Sequence, residues 1–218
     1  IHGLEGHDLG PVAAERGEIV ACVLIVPRWL KILGHGIPTG GVGSVFCRTD
    51  CRGGGIATAL LERAATCMRE RGMELSLLFG QKRDLYGRLG WKPWKGQRSI
   101  LRKARSGAPP VARNAAEQDV EIVAFDRSRD RALSAVKAIH SAYSSSRSGT
   151  VVRDHALWEA SLALAGNPDE EFWLARRGGL AVAYARAALL DGVLTVTEFG
   201  RFEDGAVALA RLVASLLQ

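Results

Sequence analysis

Residues 18–26, EIVACVLIV, are almost continuously apolar, dense in β-branched side chains and closed by Pro27; the run predicts a central strand that ends at the proline. The segment 29–40, WLKILGHGIPTG, predicts a short strand and then a Gly/Pro-rich turn, and GVGSVFC over 41–47 a further strand. The loop RTDCRGGG leads into a helix from about Ile56 to Arg71. Its apolar positions Ile56, Ala57, Leu60, Leu61, Ala64, Ala65 and Met68 recur at spacings of three and four, so one face is buried. Gly72 lies just beyond, where a left-handed residue closes a helix. A strand over 74–80, a short helix near Lys82–Arg88 and a last strand over 95–102 complete this half.

Residues 104–118, ARSGAPPVARNAAEQ, read as a linker with a boundary near residue 113, which divides the chain into domains 1–112 and 113–218. Beyond it, DVEIVAF predicts a strand, and 128–145 and 153–165 carry helical periodicity. EFWLARRGGLAVAYARAALL predicts a hairpin with Arg177-Gly178-Gly179 at its turn; VLTVTEFG predicts a strand, and 204–217 an amphipathic helix. Both halves therefore end their strand-rich stretches in strand, loop and helix, the pattern of a weak internal duplication. The fold class is α/β with an α+β character, two mixed central sheets flanked by helices.

Composition narrows the function classes. No stretch has the apolar length of a membrane span, and no signal-peptide pattern is present, so we expect no membrane partner. The chain opens at Ile1 rather than Met, which we read as upstream sequence missing. A net charge of +6 favours an anionic ligand, either a polyphosphate or a nucleic acid; the basic residues are scattered without an aromatic-interleaved stripe, which counts against nucleic acid. Cys22, Cys47, Cys51 and Cys67 form no CxxC pair and have no histidine cluster beside them, so we expect neither a metal site nor a disulfide framework. Cys22 and Cys67 read as small buried hydrophobes, and the cysteine usage as that of a reducing cytoplasm.

The stretch 51–64, CRGGGIATALLERA, sets glycines where a helix must nucleate. A helix N-terminus offers unpaired N–H groups and a partial positive charge; glycines before it let an anion reach them, and Arg52 adds a full charge. A Walker loop would need Gly-Lys-Ser/Thr, and a dinucleotide fingerprint a third spaced glycine; neither is present. What remains is R-x-x-G-x-A over Arg52, Gly53, Gly54, Gly55, Ile56 and Ala57, followed by Tyr86-Gly87-Arg88-Leu89-Gly90-Trp91. In these motifs and their order, residues 15–100 resemble the GCN5-related N-acetyltransferase (GNAT) superfamily. The arrangement IPTGGVGSV…RGGGIATALL…SLLFGQKRDLYGRLGWKPW further resembles its Eis-type branch, which carries a second, degenerate GNAT-like domain.

The resemblance implies two tandem GNAT-like domains, the first with its N-terminal strand and helices incomplete and the second unable to bind coenzyme A, because RFEDGAVALARL lacks the glycine-rich arginine loop. It implies acetyl-CoA as co-substrate, held by Val45, Phe46 and Cys47 along the pantetheine arm and by Arg52, Gly53, Gly54, Gly55, Ile56, Ala57 and Thr58 at the pyrophosphate. Tyr86 falls where many members protonate the departing thiolate. Direct N-acetylation of a small-molecule or peptide amine is the expected activity, with a non-catalytic acyl-CoA-binding regulator as the alternative. A base is not assigned: GVGSVFC contains no carboxylate, and His35, Glu198 and a water chain all stay open. Eis-type proteins form homo-oligomers, and the resemblance extends that expectation here. Their proposed catalytic terminal carboxylate belongs to a third, sterol-carrier-like domain; this sequence runs to Gln218, about where the second domain would end, and that role is not assigned to a residue here.

Overall fold

The computed structural model of the chain describes residues 10–94, 119–126, 128, 130–163 and 170–216. These fall into two compact units: one holds residues 10–94 with Gly149–Val152, the other the remaining described residues. The expected strand over 95–102, the linker 104–118 and the domain boundary near 113 lie outside the described residues.

The first unit is built on a mixed sheet. Strands β1 (Val12–Glu15), β2 (Glu18–Ile32) and β3 (His35–Cys47) form an antiparallel meander. Helix α1 (Ile56–Glu70) then crosses over to β4 (Leu75–Leu78), which lies parallel to β3, and α2 (Arg83–Arg88) follows. A parallel neighbour needs such a crossover, whereas the meander closes through two-residue turns. Arg16-Gly17 and Leu33-Gly34 are both left-handed at each position, the signature of a type I′ turn. Met68, Ala64, Leu61 and Leu60 of α1 pack on Ala21, Val23, Ile25 and Val42 of the sheet. The helix closes at Gly72, φ +70°, with Met73 N–H bonded to the Met68 carbonyl at 2.9 Å, as the sequence position predicts.

Two expectations need correction. The strand does not end at Pro27 but runs on to Ile32, so the short strand over 29–32 is its continuation and the turn is only Leu33-Gly34, with 35–40 already in β3. Main-chain groups alternate sides along a strand, and the carbonyls of Trp29 and Lys31 bond to Val152 and Gly149, away from β3. Pro27 shares their parity, so its missing N–H faces the same edge and breaks no bond of the β2–β3 ladder. The Arg28 guanidinium caps the Pro27 carbonyl there at 2.9 Å.

The second unit carries β5 (Val120–Ala124), α3 (Asp130–Ser144), α4 (His155–Ala163), β7 (Glu171–Arg177), β8 (Leu180–Leu190), β9 (Val193–Arg201) and α5 (Ala206–Ser215); β6 (Thr150–Val151) belongs to the first unit, paired with β2. Its sheet runs β5-β7-β8-β9, antiparallel throughout among the described residues. Helix α5 packs on Ala175, Ala183 and Ala185 of one face, while Val136 and Ile139 of α3 and Trp158 of α4 pack on Leu174 and Tyr184 of the other. The hairpin turns at Gly178-Gly179, both left-handed, while Arg177, also expected at the turn, is the last residue of β7 and pairs with Leu180.

Candidate functional site

Where β3 leaves its parallel neighbour, the first sheet opens. Pairing with β4 ends at Val42–Leu78, yet β3 runs on to Cys47. On its other side, Ser44 and Val45 together oppose the single residue Val23, a β-bulge with Ser44 at φ +46°. Cys22 Sγ donates to the Ser44 carbonyl at 3.6 Å. Beyond the bulge, Arg48 N–H bonds back to Val20 at 2.8 Å. By alternation, the main-chain groups of Val45 and Cys47 therefore face the edge that β4 has vacated. Val45 and Cys47 pack their side chains on the first core, and Phe46 points the other way, half exposed.

A 3₁₀ turn over Thr49–Cys51 joins this edge to the glycine loop. Arg52 lies across the junction: its Nε donates to the Cys47 carbonyl at 3.0 Å. Gly53 and Gly55 adopt φ +87° and +81°, conformations that require glycine on local grounds alone. Gly54 is different. It is outside the left-handed region, and a Cβ built there would meet nothing within 4 Å. Neither its conformation nor packing among the described residues accounts for its missing side chain.

Helix α1 begins without a side-chain cap and with no acidic residue in its first turn. Its first backbone bond runs from Ala59 N–H to the Gly55 carbonyl at 3.0 Å. The amides of Ile56, Ala57 and Thr58 thus stand at the open end of the helix dipole with no partner among the described residues. Ile56 packs into the first core and anchors that turn.

The second motif is, in large part, a helix stop. Gly90 is left-handed at φ +98°, Gly90 N–H bonds Gly87 at 3.2 Å, and Trp91 N–H bonds the Tyr86 carbonyl at 3.1 Å, which is a Schellman closure. Trp91 meets Tyr86 edge-on at 6.3 Å between centroids and donates its Nε1 to Ser76 Oγ at 3.1 Å, a structural role. The Tyr86 ring covers the chain just after β4, so close that a Cβ on Gly80 would lie 2.4 Å from Cε2. Half-buried on the core that Val45, Cys47 and Ile56 also border, Tyr86 leaves its hydroxyl without a hydrogen bond among the described residues.

The four cysteines are free thiols. Cys22 and Cys67 are half-buried rather than fully buried. Cys47 Sγ is turned onto the carbonyls of Arg48 and Cys51, each at 3.6 Å, and burial pushes the Cys51 thiol up, so neither is poised as a nucleophile. Among the described residues no group of three or more side chains suits a metal ion, and no helix is long and apolar enough to cross a membrane.

Sequence reasoning missed the bulge at Ser44, which has no composition signal, and the polar cluster around Glu198. That carboxylate, one of the candidates for a base, is held by Arg153 through two bonds of 3.0 and 2.7 Å and accepts from Tyr184 Oη at 2.7 Å. Arg186 binds Glu170 and Ser161 beside it and stacks near Phe172. Burial pushes the Glu198 carboxyl up, but the hydrogen bonds and charge of Arg153 and the Tyr184 hydroxyl outweigh it and hold the group below its ordinary range. Such a carboxylate is a poor proton acceptor; it is a structural pair. Arg153→Met removes both of its bonds to Glu198 and leaves the carboxylate to Tyr184 Oη and to Arg186 Nη1 at 3.8 Å, and is expected to cost about 1.5–3 kcal/mol in denaturant unfolding, the scale of a lost charged hydrogen bond. A depressed folded pKa stabilises above the ordinary carboxylate range, about pH 4 to 5, and the contribution is lost as pH falls through the lower folded value. Glu198→Gln should therefore flatten the fall of melting temperature in that acid window.

The family described as an acetyltransferase (GNAT) domain matches residues 7–94. An aminoglycoside 2'-N-acetyltransferase of Mycolicibacterium fortuitum is 32% identical over 103 residues, which cover 45% of this chain and 52% of that protein. The chain thus spans about half the length of that relative. Among solved structures, a probable N-acyltransferase from Enterococcus faecalis V583 superposes with TM-score 0.67 at 16% identity, over 93% of this chain and 50% of that one. Eis1 from Mycobacterium abscessus superposes with TM-score 0.59 at 20% identity, over 95% and 52%. At such identities the likeness is one of fold, a mixed α/β architecture with helix-flanked sheets.

Proposed function

We propose that the acetyltransferase (GNAT) domain carried by residues 7–94 binds acetyl-CoA and that the protein transfers the acetyl group directly to an amine of a small molecule or peptide. The observation that carries this reading is Gly54, a glycine that neither its conformation nor a neighbour among the described residues requires, placed before an uncapped helix end. An open loop, three amides without partners among the described residues and Arg52 at its mouth fit a diphosphate.

Bound there, acetyl-CoA supplies an activated thioester. The chain supplies the rest. Amides of Gly53 to Thr58 bind the diphosphate, and Arg52 adds charge. The main-chain N–H groups of Val45 and Cys47 donate to an extended arm and toward the acyl oxygen as negative charge builds on it, the Cys47 carbonyl being taken by Arg52 Nε. Tyr86 Oη, which makes no hydrogen bond among the described residues, holds the proton for the departing sulfur. The amine arrives neutral or is deprotonated by solvent, since β3 carries no carboxylate and Glu198 is fully engaged. The absent carboxylate on β3 is also what favours the second reading, a non-catalytic acyl-CoA-binding protein. The two tandem GNAT-like domains, the second degenerate, belong to the same proposal: before α5 stand Glu203 and Asp204 rather than a glycine loop.

The acceptor class follows from the aminoglycoside relative only as the first set to try. Calorimetry with acetyl-CoA, then thiol release with aminoglycosides, polyamines, amino acids and lysine peptides, tests the reading. Amine-dependent thiol release supports it; binding without turnover on every class favours the regulator; no binding at all overturns the site.

A further inference from the structure

We propose that Arg48 is a positioning residue for the acyl-donor site, bracing the turn that aims the glycine loop; the inference rests on the donor-binding reading above. All three guanidinium nitrogens are engaged, each by a different segment. Nε meets Asp50 on the 3₁₀ turn at 2.7 Å, Nη2 meets Glu15 at the end of β1 at 3.2 Å, and Nη1 meets Glu18 at the start of β2 at 3.5 Å.

The main chain of the same residue is equally committed. Its N–H bonds Val20 at 2.8 Å, and its carbonyl accepts from Cys51 N–H at 3.0 Å, the bond that closes the turn. Arg52 N–H then bonds Thr49 at 3.3 Å, and Gly53 follows directly. Arg48 is thus the one side chain among the described residues that ties the β1–β2 hairpin to the turn launching the loop.

The hairpin needs this tie. Glu15 and Glu18 are register partners directly across the Arg16-Gly17 turn, a like-charge pair that is unfavourable unless a cation bridges it. The Arg48 hydrogen bond also holds the Asp50 carboxyl below its ordinary range. These carboxylates are well exposed, so the pairs add little to global stability. Their effect is local: a rigid turn presents the loop amides in one arrangement, and binding then orders less backbone. Arg48 touches no reacting atom: its guanidinium is held among three carboxylates of the hairpin and the turn.

The test measures CoA affinity by calorimetry and turnover at saturating acetyl-CoA. Arg48→Met is expected to weaken CoA about tenfold, the scale of a lost charged hydrogen bond, with saturated turnover within about twofold and cooperative unfolding retained. Arg48→Lys, a single point charge unable to bridge three carboxylates, should recover only part of the affinity. Should Arg48→Met fail to fold, Asp50→Asn, which cuts only the link to the turn, is expected to weaken CoA about threefold. Unchanged affinity in Arg48→Met, or in Asp50→Asn where that variant carries the test, overturns the proposal. So does full recovery when Glu15→Gln, Glu18→Gln and Asp50→Asn are added to Arg48→Met, because neutralisation alone would then suffice. A wild-type chain that binds no CoA defeats instead the donor-site reading.

Discussion

Gly54→Glu is expected to abolish acetyl-CoA binding while the chain folds as before. The substitution is tolerable to the fold because Gly54 is outside the left-handed region and its Cβ would project into open space. Its neighbours are not equivalent: at Gly53 and Gly55, with φ +87° and +81°, any side chain strains the loop itself. A carboxylate held about 4 Å from a phosphate charge costs about 4 kcal/mol at the effective dielectric of a protein surface, roughly a thousandfold in affinity. Calorimetry with acetyl-CoA, beside thermal unfolding of the same variant, checks both halves of the expectation. Retained affinity in a folded Gly54→Glu would remove the loop from the donor site.

Tyr86→Phe is expected to reduce turnover by about 10²–10⁴-fold, the range for a positioned general acid, with acetyl-CoA affinity unchanged. The ring keeps every structural contact of the tyrosine: the cover over Gly80, the edge-on packing with Trp91, and the Schellman bond, which involves only the backbone. The hydroxyl makes no hydrogen bond among the described residues, so its removal orphans no partner and should leave stability unchanged. Steady-state rates at saturating donor, paired with calorimetric affinity, separate the two effects. Equal turnover would assign Tyr86 to packing alone, beside Trp91.

Much of this was legible in the chain. Helix α1 announces itself by apolar residues at spacings of three and four, its end by Gly72, the second hairpin by Gly178-Gly179, and the loop by consecutive glycines before a helix. Gly90 was legible too, had it been read as a helix stop rather than as part of a motif. Other features depend on partners far along the chain. Pro27 looks like a terminator because local rules do not know which edge of β2 its nitrogen faces; only the pairing of Trp29 and Lys31 with the segment at 149–152 decides it. Ser44 gives no hint of a left-handed bulge, since the demand comes from the register across β2. Glu198 reads as a free carboxylate until Arg153, 45 residues earlier, is brought against it. Arg48 reads as one more scattered cation, its partners at Glu15 and Glu18 being joined to it by a hairpin rather than by sequence.

The account turns on where a diphosphate sits, and a crystal structure with acetyl-CoA bound measures that directly. It should show the diphosphate oxygens within hydrogen-bond distance of main-chain nitrogens between Gly53 and Thr58, at the open end of α1. Acetyl-CoA seated elsewhere on the chain, with those nitrogens facing solvent alone, would contradict it.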